Sequence, residues 1–270
     1  MTTPHFDRPT GGDAYARTAG RHIAPRVADA LGERIVAALR ATAGPLRLLD
    51  VACGSGGLAL RLARDLPHAS VTGVDVSPDM IAQAQAQAEK AGLEQRVTFA
   101  VMDVGHLAFE TASLDAMTCN LGLHLFARPA EALSEMRRVL RPGARLWASV
   151  PDRQSWREFF TIAHDVAPEA DRLLRGFRTK LEQGAPLLLA LQQAGFTVTD
   201  QESLRLPFTF ANGRDALAFF TGLVSPFATL PATFLERLGH ALDERFPQGM
   251  MTSYVALLLC ARTGSGVVPR

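Results

Sequence analysis

One stretch of this chain limits the folds open to it more than any other. Leu46-Arg47-Leu48-Leu49-Asp50-Val51-Ala52 is a short apolar run that stops at Cys53-Gly54-Ser55-Gly56-Gly57. Beyond the glycines, Leu58, Leu60, Leu62 and Ala63 continue as a helix to about Asp65, and Pro67 closes it. The pattern predicts a strand, a tight glycine loop and a helix. A second unit of the same kind follows, with Ser70 to Val76 as strand and Met80 to Ala91 as helix. Ser77 suits the N-cap of that helix, Pro78 its first position and Gly92 its end. Val97 to Met102 and Ala116 to Asn120 read as two further strands. Pro129 to Leu140 reads as a helix, and Ala144 to Val150 as a fifth strand after an Arg141-Pro142-Gly143 stop. Alternation at this spacing implies right-handed crossovers and a parallel sheet covered by helices.

On either side the rhythm changes. Residues 1–44 read as an N-terminal helical cap, helical from about Ala14 to Thr42, and residues 45–151 as the α/β core. Residues 152–263 read as a helical insertion or lid together with the last strands of the same sheet. Within them Pro186 to Ala194 and Arg214 to Arg245 are helical, and Phe196 to Phe210 and Ser253 to Arg262 extended. Gly264 to Arg270 is a native tail or a cloning remnant. Of 15 phenylalanines, 11 lie after residue 150, so Phe159, Phe160, Phe219, Phe220 and Phe227 are candidates for a pocket that takes an apolar or aromatic molecule; a plain helical core is the alternative.

Charge narrows the partners. Lysine plus arginine number 28 against 27 aspartate plus glutamate, a net +1, so no field of one sign would attract nucleic acid. The three cysteines, Cys53, Cys119 and Cys260, lie far apart with no CxxC spacing, as expected of reduced thiols in a cytoplasmic protein. Met1 to Thr10 reads as neither signal nor transit peptide, and no apolar run approaches the ~18 residues of a membrane span.

The glycine loop alone, Gly54 to Ala59, fits dinucleotide binding as well as any other adenosine ligand. Three acids discriminate. Asp50 ends the first strand and is expected to point into the mouth of the loop. Asp75 ends the second, where a carboxylate of a doubly wound sheet accepts ribose hydroxyls. Asp103 follows the third, beside the place for an adenine edge. Together they suit a nucleoside with a cationic or neutral tail, and Asp50 would repel a pyrophosphate.

LLDVACGSGGLAL, VTGVDVSPDMIAQAQAQAEKAGL, VTFAVMDVGHLAF, LDAMTCNLGLHLF and ALSEMRRVLRPGARLWASV together resemble the class I S-adenosylmethionine-dependent methyltransferases, in particular the ubiquinone/menaquinone-biosynthesis and small-molecule group. The resemblance covers about residues 46–150. It implies a Rossmann-like, doubly wound, mostly parallel seven-stranded sheet with S-adenosylmethionine at its carboxyl edge. It assigns Asp50, Ala52, Gly54 and Gly56 to the methionine part of the cofactor, with Ala52 in the place of the family's first glycine and expected to take an extended backbone. Asp75 would hold the ribose, Val76 and Met80 the adenine face, Asp103 and Val104 the adenine amino edge, and Asn120 and Leu121 the sulfonium side. Tyr15 would close over the carboxylate end. Each of the acids and Asn120 also has a local reading, as a turn or cap residue.

In this family the protein chiefly aligns a nucleophile with the S–CH3 bond and excludes water, so a general base is optional. His124 is a candidate base or orienting group, otherwise a wall residue, and it is followed by Leu125 where relatives often carry a second histidine. His22 is a weaker candidate. No metal is expected, because Cys119-Asn120 lacks the carboxylate that metal-assisted catechol methylation requires. The reading is methyl transfer from S-adenosylmethionine to O, C or N of a small hydrophobic molecule, by a protein compatible with a homodimer. The rivals are an NAD(P)-dependent oxidoreductase and a protein of this fold that binds the cofactor without methylating.

Overall fold

A computed structural model describes residues 22–166, 184–223 and 230–264 of the 270-residue chain. Helix α1 (Ala24–Leu39) leads into β1 (Leu46–Val51), and α2 (Gly57–Asp65) follows the glycine loop. Then come β2 (Ala69–Asp75), α3 (Pro78–Ala91), β3 (Val97–Val101), β4 (Leu114–Asn120), a 3-10 turn (Leu123–Leu125), α4 (Pro129–Val139) and β5 (Leu140–Pro151). The rest is α5 (Arg157–Val166), α6 (Gly184–Gln193), β6 (Phe196–Phe210), α7 (Gly213–Leu223), α8 (Ala232–Arg245) and β7 (Met250–Thr263).

The seven strands form one sheet in the order β3-β2-β1-β4-β5-β7-β6, and the pairs β2–β3, β1–β2, β1–β4 and β4–β5 are parallel. The expected doubly wound sheet is therefore present. Strand order reverses between β1 and β4, which opens a crevice at their carboxyl ends, the position at which open α/β sheets bind ligands.

Local sequence explains the elements that frame this crevice. Helix α3 starts at Ser77, whose hydroxyl accepts from the Met80 amide, has Pro78 in its first turn, and ends at Gly92 with φ +64°. Phe99 of β3 lies over two glycines: a Cβ at Gly73 would fall 2.5 Å from its ring, and one at Gly56 2.7 Å from it. A large ring thus replaces two missing side chains and lets α2 start close to the sheet. The Arg141-Pro142-Gly143 segment was expected to end a helix and precede a strand. Instead β5 begins at Leu140, opposite Leu114, and carries the segment as an irregularity before Arg145 pairs with Ala116. Gly143, at φ +77°, permits the bend.

The chain divides into two compact units. The larger comprises, among the described residues, 25–150, 185–202 and 257–264, and its core packs Leu49, Val51, Met117, Leu133, Leu146 and Leu191. The smaller comprises, among the described residues, 22–24, 151–166, 184, 203–223 and 230–256, centred on Trp156. Trp156 is fully buried and edges onto Phe208, Phe219 and Phe220, while Phe159 stacks on Phe220 at 3.6 Å between centroids.

Candidate functional site

The loop after β1 holds three left-handed residues: Ala52 at φ +53°, Gly54 at +54° and Gly56 at +86°. Ala52 is thus not extended as expected, and a non-glycine residue there costs about 1–2 kcal/mol. Its methyl has a complementary gap. A Cβ at Gly122, after β4, would lie 2.7 Å from the Ala52 Cβ and 2.7 Å from Cys119 Sγ. The glycines differ in role. Gly56 is filled from behind by Phe99 and Ala84, whereas a Cβ at Gly54 would meet nothing within 4 Å. Gly54 is the glycine at which a ligand can approach the backbone.

Asp75 ties this loop to the next one. The Gly54 amide donates to its Oδ2 at 2.9 Å and the Ser77 amide to its Oδ1 at 3.0 Å. Each oxygen keeps a lone pair for a further donor, as a ribose diol would supply. Beside it Val76 is 53% exposed, bare enough to pack on a flat ring; Val101 at the end of β3 is 52% exposed. Val101 escaped the sequence reading because an apolar residue ending a strand looks like any other core position. Met80 is half-buried on the first turn of α3, and Val104 packs half-buried on the core. Asp103 is exposed. Its Oδ1 accepts the Gly105 amide at 2.8 Å and its Oδ2 lies 3.8 Å from Arg128, so its carboxylate braces its own turn.

Asp50 departs most from expectation. It does not point into an open mouth but is 1% exposed, with the Thr118 hydroxyl donating to its Oδ1 at 2.6 Å. Burial pushes its pKa up to about 7; the Thr118 hydrogen bond opposes this, the Asp75 charge adds to it, and the Ala59 amide of α2 opposes it. Thr118 carries no motif signal, since a threonine in a strand is ordinary. The carboxyl nevertheless holds an amide at the start of α2, where a pyrophosphate would seek its donors.

The other wall comes from β4 and β5. Ser149, fully buried, donates to Asn120 Oδ1 at 2.8 Å and accepts the Leu121 amide at 3.0 Å. Leu121 is buried and left-handed at φ +54°. Ser149 was also unread in the sequence, and its role follows only from the pairing of Asn120 with Ser149. His124 stands in the 3-10 turn immediately beyond, half-buried.

The structure therefore brings Asp50, Ala52, Gly54, Gly56, Asp75, Val76, Met80, Asp103, Val104, Asn120, Leu121 and His124 into the larger unit, on the carboxyl-terminal ends of β1, β2 and β4 and on the loops and helix starts that follow β1 to β4. His22 lies in the smaller unit, exposed, with its ring 6.0 Å from that of Phe219. Tyr15 and Phe227 lie outside the described residues. Phe159, Phe160 and Phe220 are buried and Phe219 half-buried, packed on one another and on Trp156. Among the described residues no three His, Cys, Asp or Glu side chains come together as metal ligands, and no helix is long and apolar enough to cross a membrane.

Comparison with known proteins meets this geometry. Residues 48–143 match a family of methyltransferase domains. The chain is 45% identical over 102 residues to the demethylmenaquinone methyltransferase of Thermus thermophilus, 38% of this chain and 46% of that one. It is 38% identical over 136 residues to the ubiquinone/menaquinone biosynthesis C-methyltransferase UbiE of Dinoroseobacter shibae, 49% of this chain and 54% of that one. The chain spans about half the length of these curated relatives. The solved structure of the [4+2]-cyclase SpnF aligns with a TM-score of 0.58 at 27% identity, covering 90% of this chain and 81% of that one. Over residues 48–143 the chain is therefore similar to methyltransferase domains, as the motifs implied.

Proposed function

We propose, from the methyltransferase domain at residues 48–143, that this protein transfers a methyl group from S-adenosylmethionine to an O, C or N atom of a small, hydrophobic, quinol-like or other aromatic acceptor. The observation that carries the reading is the pairing of Gly54, open to solvent, with Asp75, whose oxygens are fixed by backbone amides and keep lone pairs for a diol. The acceptor class rests on the names of the quinone-pathway relatives.

The residues present fit that cofactor. Asp75 receives the ribose hydroxyls, Val76 and Met80 flank the adenine, and Asp103 with Val104 borders its amino edge. The Gly54 backbone lies against the methionine portion, and Asp50 beneath the loop supplies negative charge toward the ammonium once ionised. When bound, the cofactor supplies a sulfonium-activated methyl, so the chain need only position the acceptor and exclude water. Asn120 and Leu121, fixed by Ser149, border the reacting side. His124 orients the acceptor or takes its proton, and His22 and Tyr15 are secondary candidates for closing the site. A burst of methyl transfer to hydroquinones or phenols, followed with methyl-labelled cofactor, supports the reading; tight cofactor binding with no labelled product over a broad acceptor panel overturns it. That outcome would favour the second reading, a protein of this fold that binds the cofactor and serves another reaction, for which the likeness to the [4+2]-cyclase SpnF is the specific support. The three free cysteines suit a reducing, cytoplasmic setting.

A further inference from the structure

The chain between β3 and β4, residues 102–113, forms neither helix nor strand, so its backbone groups need partners from elsewhere. Near its start lie Asp103 and Val104, the residues that border the adenine amino edge in the reading above. Asp103 closes a turn: its carbonyl accepts the His106 amide at 3.0 Å and its Oδ1 the Gly105 amide at 2.8 Å. Leu107, buried, follows the turn directly. Whatever fixes Leu107 therefore fixes the place of the Asp103 carboxylate.

Helix α4 holds this loop at two places of different strength. At its N-cap, Arg128 lies 3.8 Å from Asp103 Oδ2 and 2.9 Å from Glu131; Arg128 and Asp103 are more than half exposed, so their attraction is weak. One turn apart near its end stand Glu135 and Arg138, with side chains only 18% and 32% exposed. Arg138 donates from all three guanidinium nitrogens. Nε bonds Glu135 at 2.8 Å, one terminal nitrogen bonds the Phe109 carbonyl at 2.9 Å and the Thr111 hydroxyl at 3.3 Å, and the other bonds the Leu107 carbonyl at 3.0 Å and Glu135 at 2.6 Å. Glu135 in turn accepts the Leu107 amide at 3.0 Å. The Arg138 hydrogen bonds hold the Glu135 carboxyl below the usual carboxylate range; burial opposes this, while the Leu107 amide and then the Arg138 and His106 charges add to it. Leu107 is thus pinned through both its amide and its carbonyl.

We propose that Arg138 is a positioning residue for base specificity: by fixing Leu107 and Phe109 it holds Asp103 where the carboxylate accepts from an adenine amino group and repels a base with a carbonyl in that place. Asp103 is exposed enough to meet a ligand, and each carboxylate oxygen has more than one lone pair to offer. A planar five-donor fork can serve two carbonyls, a hydroxyl and a carboxylate together, which a lysine ammonium cannot. The inference rests on the S-adenosylmethionine reading and adds to it a residue that touches neither cofactor nor acceptor.

The test is calorimetric titration of the full chain with S-adenosylhomocysteine and with S-inosylhomocysteine, which carries an oxygen in place of the amino group. The ratio of the two affinities is the readout, because a merely structural loss lowers both alike. The unaltered chain should prefer the adenine compound about tenfold or more, the scale of a hydrogen bond to a charged group. Arg138→Met should bring that preference to about twofold or less, and Arg138→Lys, which keeps the pair with Glu135 but not the fork, should fall between. Equal affinities in the unaltered chain overturn the proposal while leaving the cofactor assignment standing. So does a folded Arg138→Met chain that keeps the full preference, or, if that variant does not fold, an Arg138→Lys chain that keeps it. No binding of S-adenosylhomocysteine by the unaltered chain overturns the methyl-transfer reading, and the proposal with it.

Discussion

Asp50 shows how much a single side chain changes when its surroundings become known. In the sequence it is a carboxylate at a strand end; in the fold it is a buried carboxyl whose pKa burial pushes up to about 7, from the ordinary 3.8. The sign of the consequence follows from proton binding. Between those two values the native state keeps the proton and the unfolded chain has lost it, so stability declines as pH rises through this window and levels off above about 7. Denaturant melts at a series of pH values should show a loss of roughly 2 kcal/mol from pH 5 to pH 7 attributable to this group. Asp50→Asn, which still accepts from Thr118, should flatten that slope. Asp75 has the opposite character, half-exposed and held by the Gly54 and Ser77 amides. Asp75→Ala should weaken S-adenosylhomocysteine binding by about 1.5–3 kcal/mol, the scale of a hydrogen bond to a charged group. An unchanged calorimetric affinity would remove Asp75 from the site.

At the level of elements, the loop after β1 and the turn after β4 are built for each other. Ala52 accepts a strained backbone, and its methyl fits only because position 122 is glycine. Gly122→Ala should therefore destabilise by about 2 kcal/mol or more through overpacking. Ala52→Gly alone should stabilise by about 0.5–1 kcal/mol by relieving the left-handed alanine. Combining them should recover part of the Gly122→Ala loss, a coupling that thermal or denaturant melts of the four proteins would measure. An additive cycle would contradict this contact. The strands, α2 and α3 were legible in the sequence because periodicity, glycine breaks and the Ser77-Pro78 cap are local signals. The start of β5 was not: Arg141-Pro142-Gly143 has the composition of a stop, and only pairing of Leu140 with Leu114 carries the strand through it. Ala52 was misread for a related reason, since the conformation of a loop alanine is imposed by what lies around it.

Across the whole molecule, legibility divides at about residue 150. The parallel α/β half could be read from its repeating units. In the remainder, β6 runs from the larger unit at Phe196 into the smaller by Phe210, and β7 runs from the smaller into the larger. Local patterning says that such segments are extended but not which unit each half joins. The phenylalanine-rich segment likewise announced an apolar cluster, while its centre, Trp156, became evident only from the packing of the rings around it. The function proposed above requires the glycine loop and its three carboxylates to take a nucleoside with a cationic tail in preference to a dinucleotide. Calorimetric titration of the purified protein with S-adenosylhomocysteine, and in parallel with NAD(H) and NADP(H), tests it most directly. Selective micromolar binding of S-adenosylhomocysteine is the expected result; binding of a nicotinamide dinucleotide in its place would contradict that function.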